Sequence, residues 1–88
     1  MPDHPQDHPH AAIAKRLKRA NGHLESIIEM IEEQRSCAEI AQQLQAVEGA
    51  IENAKKALIH DHFSHSLKAS GPRAKALLRD FELIAKYL

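Results

Sequence analysis

Apolar residues recur at spacings of three and four through the first third of the chain: Ile13, Leu17, Ala20, Leu24, Ile27, Ile28 and Ile31. That is the mark of an amphipathic helix, and it predicts one over about 10–33. Gly22 falls inside it at a cost of about 1 kcal/mol relative to Ala, so it is expected to serve close packing. Ser36-Cys37-Ala38-Glu39 then has the form of a capping box, in which the Ser hydroxyl accepts from the amide three residues on and the Glu returns to the Ser amide. A second helix therefore starts at Cys37. Its stripe Ile40, Leu44, Val47, Ile51, Ala54, Leu58 steps 4-3-4-3-4, a period of about 3.5 that suits long helices packed side by side. Only Gly49 interrupts it before Gly71, which makes it about 30 residues, far above the usual length. Ser70-Gly71-Pro72 ends this helix and opens a third, since Gly suits a helix exit and Pro a first turn. Leu77, Leu78, Phe81, Ile84, Ala85 and Leu88 give the third an apolar face. With no strand pattern or internal repeat, the fold class is all-α, a three-helix protomer with a long central helix.

Residues 1–10, MPDHPQDHPH, hold three prolines and three histidines and no apolar periodicity. They read as a flexible arm, leaving 11–88 as a single helical domain. In 88 residues the only aromatics are Phe63, Phe81 and Tyr87, so a monomer's core would be thin and oligomerisation is the expected remedy. Cys37 is the sole cysteine, which excludes an intrachain disulfide. The start of the chain lacks a basic segment followed by an apolar one, and a reducing cytoplasm is the expected location. No apolar run approaches the roughly 20 residues of a membrane span, so no membrane partner is expected.

The formal net charge is zero, yet the charges are segregated. Lys15, Arg16, Lys18 and Arg19 cluster in a stretch free of acidic residues between Asp7 and Glu25, and Glu25, Glu29, Glu32, Glu33 and Glu39 follow. The cluster, joined by Lys55 and Lys56, is either an ordinary solvated face or a phosphate-binding surface that becomes strong when repeated by symmetry.

Cys37, in the first turn of a capped helix, meets the positive end of the helix dipole, which suits an anionic metal ligand or nucleophile. The plain alternative is a small buried hydrophobe. In His60-Asp61-His62-Phe63-Ser64-His65-Ser66, His62 and His65 share a face at i, i+3. Two imidazoles a turn apart are half a site for zinc, nickel or cobalt, or else a polar helix end. On one continuous helix the 25 residues from Cys37 to His62 span nearly 40 Å at about 1.5 Å each. The two cannot share an ion within one chain. They can across an antiparallel pair of the same helix, and two-fold symmetry would then make two equivalent sites.

These residues resemble the copper-sensitive operon repressor (CsoR) family, with its nickel/cobalt-sensing (RcnR-type) and formaldehyde-sensing (FrmR-type) branches. The resemblance rests on RLKRANGHL (16–24), on SCAEIAQQLQAVEGAI (36–51), on a His 25 residues after the Cys, and on the closing FELIAKYL (81–88). ALIHDHFSH and the His-rich start look most like the nickel/cobalt-responsive members. The family resemblance implies an antiparallel dimer of three-helix protomers doubled into a homotetramer, without a helix-turn-helix, that binds operator double-stranded DNA and releases it on meeting its inducer. Cys37 and His62 match two ligand positions of the metal sensors, and His4, His8 or His10 matches the N-terminal His of the nickel/cobalt branch. Copper sensors carry a second Cys four residues after the His. Here that position is Ser66, so a two-thiolate Cu(I) site is not available. His65 lies one position before it, and Glu48 stands where many relatives have Arg.

The leading expectation is a repressor induced by a divalent metal ion, nickel or cobalt with zinc as a further candidate, and with no organic cofactor. Derepression of an efflux gene would follow. Its ligands would be drawn from Cys37, His62, His65, His4, His8 and His10, and its DNA contacts from Lys15, Arg16, Lys18, Arg19, Lys55 and Lys56. One alternative is a formaldehyde-responsive repressor, in which the Pro2 amine and Cys37 are bridged by one carbon. Another is a metal-binding protein that never touches DNA. An enzyme is not expected, because no paired carboxylates or phosphate loop is visible.

Overall fold

A computed structural model of the chain describes residues 10–69 and 74–88. Among them are three helices, α1 (Ala11–Glu32), α2 (Cys37–Ala69) and α3 (Ala74–Ala85), and no strand. Pro2, His4 and His8 of the expected arm, and the Ser70-Gly71-Pro72 boundary, lie outside the described residues.

The α1–α2 turn is built from backbone chemistry at both ends. Gln34 has a left-handed φ of 59°. Its N–H donates to the Ile31 carbonyl at 3.0 Å, and the Arg35 N–H donates to that of Met30 at 3.0 Å. This is a Schellman termination, with Gln where Gly is the usual residue. Ser36 then caps α2, its Oγ accepting from the Glu39 N–H at 3.1 Å. The other half of the expected capping box is replaced: the Glu39 carboxylate accepts from the Arg35 guanidinium instead. A bond between two charged groups outcompetes one to a neutral amide, and it holds the guanidinium pKa above its ordinary value.

α1 and α2 form an antiparallel hairpin. The buried hydrophobic residues are Ile13, Ala20 and Ile27 on α1 and Val47, Ala54 and Ile59 on α2. On α1 they recur every seven residues, the spacing that keeps one seam against a neighbouring helix. Across the same interface His23 Nε2–H donates to Gln43 Oε1 at 2.6 Å, which gives the otherwise isolated His23 a role in fixing the register.

The apolar stripes divide into two edges. Leu17, Leu24 and Ile31 of α1 and Leu44, Ile51 and Leu58 of α2 also repeat by sevens, yet remain 37–54% exposed. Leu17, Leu24 and Ile51 line a groove of about 180 Å³ together with Ala20, Asn21 and Val47. The Cα atoms span 57 × 38 × 13 Å, and 13 Å is close to the diameter of a single helix, about 10–12 Å. All three helices thus lie in one layer, whereas a stable domain needs at least two.

α3 runs back along the end of α2. Phe63 meets Phe81 edge to face with centroids 5.4 Å apart, and no residue of α3 is buried. Gly22 does not serve packing within the protomer, since a Cβ there would find nothing within 4 Å.

Two stability changes follow from these backbone positions. Gln34→Gly should stabilise by about 1 kcal/mol by relieving the left-handed strain. Gly22→Ala should add about 1 kcal/mol by helix propensity. Thermal unfolding of both variants checks them. A fall in stability for Gly22→Ala would place another chain's backbone against that residue.

Candidate metal centre and nucleic-acid face

α2 is continuous from Cys37 to Ala69, so it fixes where the candidate ligands stand. Cys37, its first residue, is exposed and free of any disulfide. His62 lies near the opposite end, nearly 40 Å away by the helical rise of about 1.5 Å per residue. The premise that one chain cannot bring them together holds. Among the described residues no three His, Cys, Asp or Glu side chains converge as a metal site.

The His62 end is nonetheless built. His62 Nε2 and Asp80 Oδ2 share a short hydrogen bond from α2 to α3, and the His62 ring packs edge to face on Phe63 with centroids 4.9 Å apart. His62 and Asp80 open onto a cavity of about 400 Å³ whose walls include Leu58, Ile59 and Ile84. His10, the N-cap residue of α1, lines the same cavity, because the antiparallel hairpin returns the start of α1 to the end of α2. Of the three arm histidines, His10 alone is among the described residues, and it stands at the His62 end. His65 is exposed and does not line this cavity, and His60, also exposed, lies 3.8 Å from Asp61.

Asp80 was not among the residues singled out from the sequence. Its signal was present: it sits three residues after Leu77 and four before Ile84, an acidic residue inside the apolar stripe of α3. A carboxylate there must find a polar partner on the helix it packs against.

The donor set can be tested against a metal. Cys37 is exposed with no competing covalent partner, and His62 is half-buried at the mouth of a cavity. One thiolate and imidazole nitrogen suit a borderline divalent ion when the two ends come from different chains. They do not suit a site needing two thiolates from one chain, because Ser66 occupies the position a turn after His62.

Lys15, Arg16, Lys18 and Arg19 are all exposed on α1, on the side away from Ile13, Ala20 and Ile27. Lys56 is exposed too. Lys55 differs: its Nζ lies 3.3 Å from Glu52 and its side chain lines the His62 cavity. It is thereby drawn away from the basic cluster.

The sequence model of the family described as metal-sensitive transcriptional repressor matches residues 9–87. The chain belongs to this family. Its relatives include the copper-sensing transcriptional repressor CsoR of Mycobacterium ulcerans, 38% identical over 59 residues, which are 67% of this chain and 50% of the relative. The copper-sensing repressor RicR of Mycobacterium tuberculosis is 34% identical over 71 residues, 76% of this chain and 74% of the relative. CsoR of Bacillus subtilis is 32% identical over 78 residues, 85% and 77%. The match to the first of these spans about half of that relative's length. No solved structure matches. The family is one of transcriptional repressors rather than enzymes. No helix among the described residues is long and apolar enough to cross a membrane.

Phe81→Ala should loosen α3 by about 1 kcal/mol through loss of the aromatic pair. Amide exchange over residues 74–85 would accelerate while that of α1 and the first half of α2 stays unchanged. Equal acceleration in α1 would mean that α3 is part of the main cooperative unit.

Proposed function

We propose that this repressor binds operator double-stranded DNA in the cytoplasm as a homodimer or homotetramer. It is released when nickel or cobalt, with zinc as a further candidate, is held between Cys37 of one copy and His62 of another, derepressing an efflux gene. The observation that carries this reading is the unbroken α2, which puts the two best donors at opposite ends of one helix. An antiparallel partner reverses that helix and sets a thiolate beside each imidazole, twice per dimer. The exposed rows Leu17, Leu24, Ile31 and Leu44, Ile51, Leu58 supply an apolar reason for such a partner.

The relatives named above are copper-sensing, and the choice of metal here rests on this chain's own donors. With Cys37 as sole cysteine, each intersubunit site has one thiolate. Imidazoles supply the rest, from His62 with His10, His4, His8 or His65. That mixture favours a borderline divalent ion over soft Cu(I). The ion supplies a positive centre that holds donors of two chains together. Lys15, Arg16, Lys18, Arg19 and Lys56 meet phosphates, and Lys55 contributes only if it leaves Glu52. An inducer weakens DNA binding by as much as it prefers the DNA-free form.

Mixing Cys37→Ala with His62→Ala chains should restore metal sites. At random one-to-one mixing about half the dimers are mixed, each with one complete site of two, so cobalt thiolate absorption should recover to about a quarter of the native value. No recovery in a mixture shown to contain mixed dimers would place both ligands on one chain.

Arg16→Ala and Arg19→Ala should each weaken operator binding and lower its log-log salt slope by about 0.9, leaving the oligomer intact. An unchanged slope in both would put the DNA face elsewhere.

A further inference from the structure

We propose that Asp80 is itself a ligand of the inducer, forming with His62 a carboxylate–imidazole chelate that ties α3 to the end of α2. The inference rests on the metal-sensing reading above and adds a donor that the sequence did not single out.

The contact between His62 Nε2 and Asp80 Oδ2 sets the two atoms close enough to bind one ion. An ion with bonds of about 2.0–2.2 Å to N and O, at a right angle, needs its donors about 3 Å apart. A small side-chain adjustment therefore lets an ion replace the shared proton. Space is available, because both side chains are more than a third exposed and open onto the cavity of about 400 Å³. His10 on the same cavity wall stands where a further nitrogen is wanted. Lys55, the cation on that wall, is engaged with Glu52 at 3.3 Å.

Charge favours the same assignment. With Cys37 of a second copy as thiolate and neutral His62, a divalent ion would keep one uncompensated positive charge beside the apolar walls of Leu58, Ile59 and Ile84. The Asp80 carboxylate cancels it and lowers the cost of partial desolvation. An oxygen donor also moves the set further from Cu(I) and toward nickel, cobalt or zinc.

The test is cobalt titration of the full-length protein beside Asp80→Asn, which keeps the shape and a hydrogen-bond acceptor, and Asp80→Glu, which keeps the carboxylate. In Asp80→Asn the thiolate-to-cobalt absorption should persist, since Cys37 is untouched. The d–d bands should shift, affinity should fall at least about tenfold, and metal-induced amide protection over residues 74–85 should disappear. Asp80→Glu should restore much of each. Superimposable d–d bands and undiminished protection of α3 in Asp80→Asn would overturn the assignment. So would a loss of affinity with unchanged bands, which would leave Asp80 as a residue that only orients the ring. If the native protein shows no thiolate-to-cobalt band at all, the metal-sensing reading fails and takes this assignment with it.

Discussion

The length of α2 governs what one copy of this chain can and cannot do. Thirty-three residues of unbroken helix at about 1.5 Å each make a rod of about 50 Å, which accounts for most of the 57 Å long dimension. The rod starts at Cys37 because Ser36 caps it there, and no Pro intervenes before His62. Rigidity then becomes a chemical restriction. A thiolate and an imidazole that belong to one sequence are kept too far apart to cooperate, and only a second chain running the other way relieves the restriction.

Burial leads to the same requirement by a separate route. Six hydrophobic residues are buried among those described, too few to offset the entropy of ordering three helices. The seam Ile13–Ala20–Ile27 against Val47–Ala54 uses one edge of each helix. The neighbouring rows, offset around the helices, stay in solvent. A plate one helix thick has no second layer to cover them, so the protomer is half of a packing arrangement. Donor geometry and apolar geometry share no residues, which makes their agreement informative.

Much of this was legible in the chain before any coordinates. The three helices, the start of α2 at Cys37 and the separation of Cys37 from His62 followed from periodicity, a capping residue and a fixed rise per residue. Tertiary choices were less visible. One apolar stripe on α2 divides because α1 covers only the Val47–Ala54 edge, and a linear pattern cannot say which edge a neighbour takes. Glu39 left its capping role because Arg35 lies within reach, a competition decided by side-chain geometry. Gly22 marks no close approach within the protomer. Asp80 was passed over since its partner, His62, is 18 residues away on another helix. The polar interruption of an apolar stripe was the one sign of it.

The antiparallel hairpin has a further consequence for how sensing and repression would be linked. Because α1 runs opposite to α2, its first residues lie at the His62 end, where His10 lines the cavity. The basic cluster begins at Lys15, five residues later, or about 7–8 Å along the axis. The proposed DNA face and the proposed imidazole end thus occupy the same end of the protomer, while the acidic half of α1 lies toward Cys37. A change at His62 need not cross the molecule to reach Arg16 and Arg19; one or two turns of α1 and the cavity wall suffice. α3, with no buried residue, is the least firmly held element at that end. It is therefore the element that a new bond at His62 can most readily move. Coupling between the sites then reduces to whether the position of α3 alters the start of α1. That is a local packing question rather than one of long-range transmission.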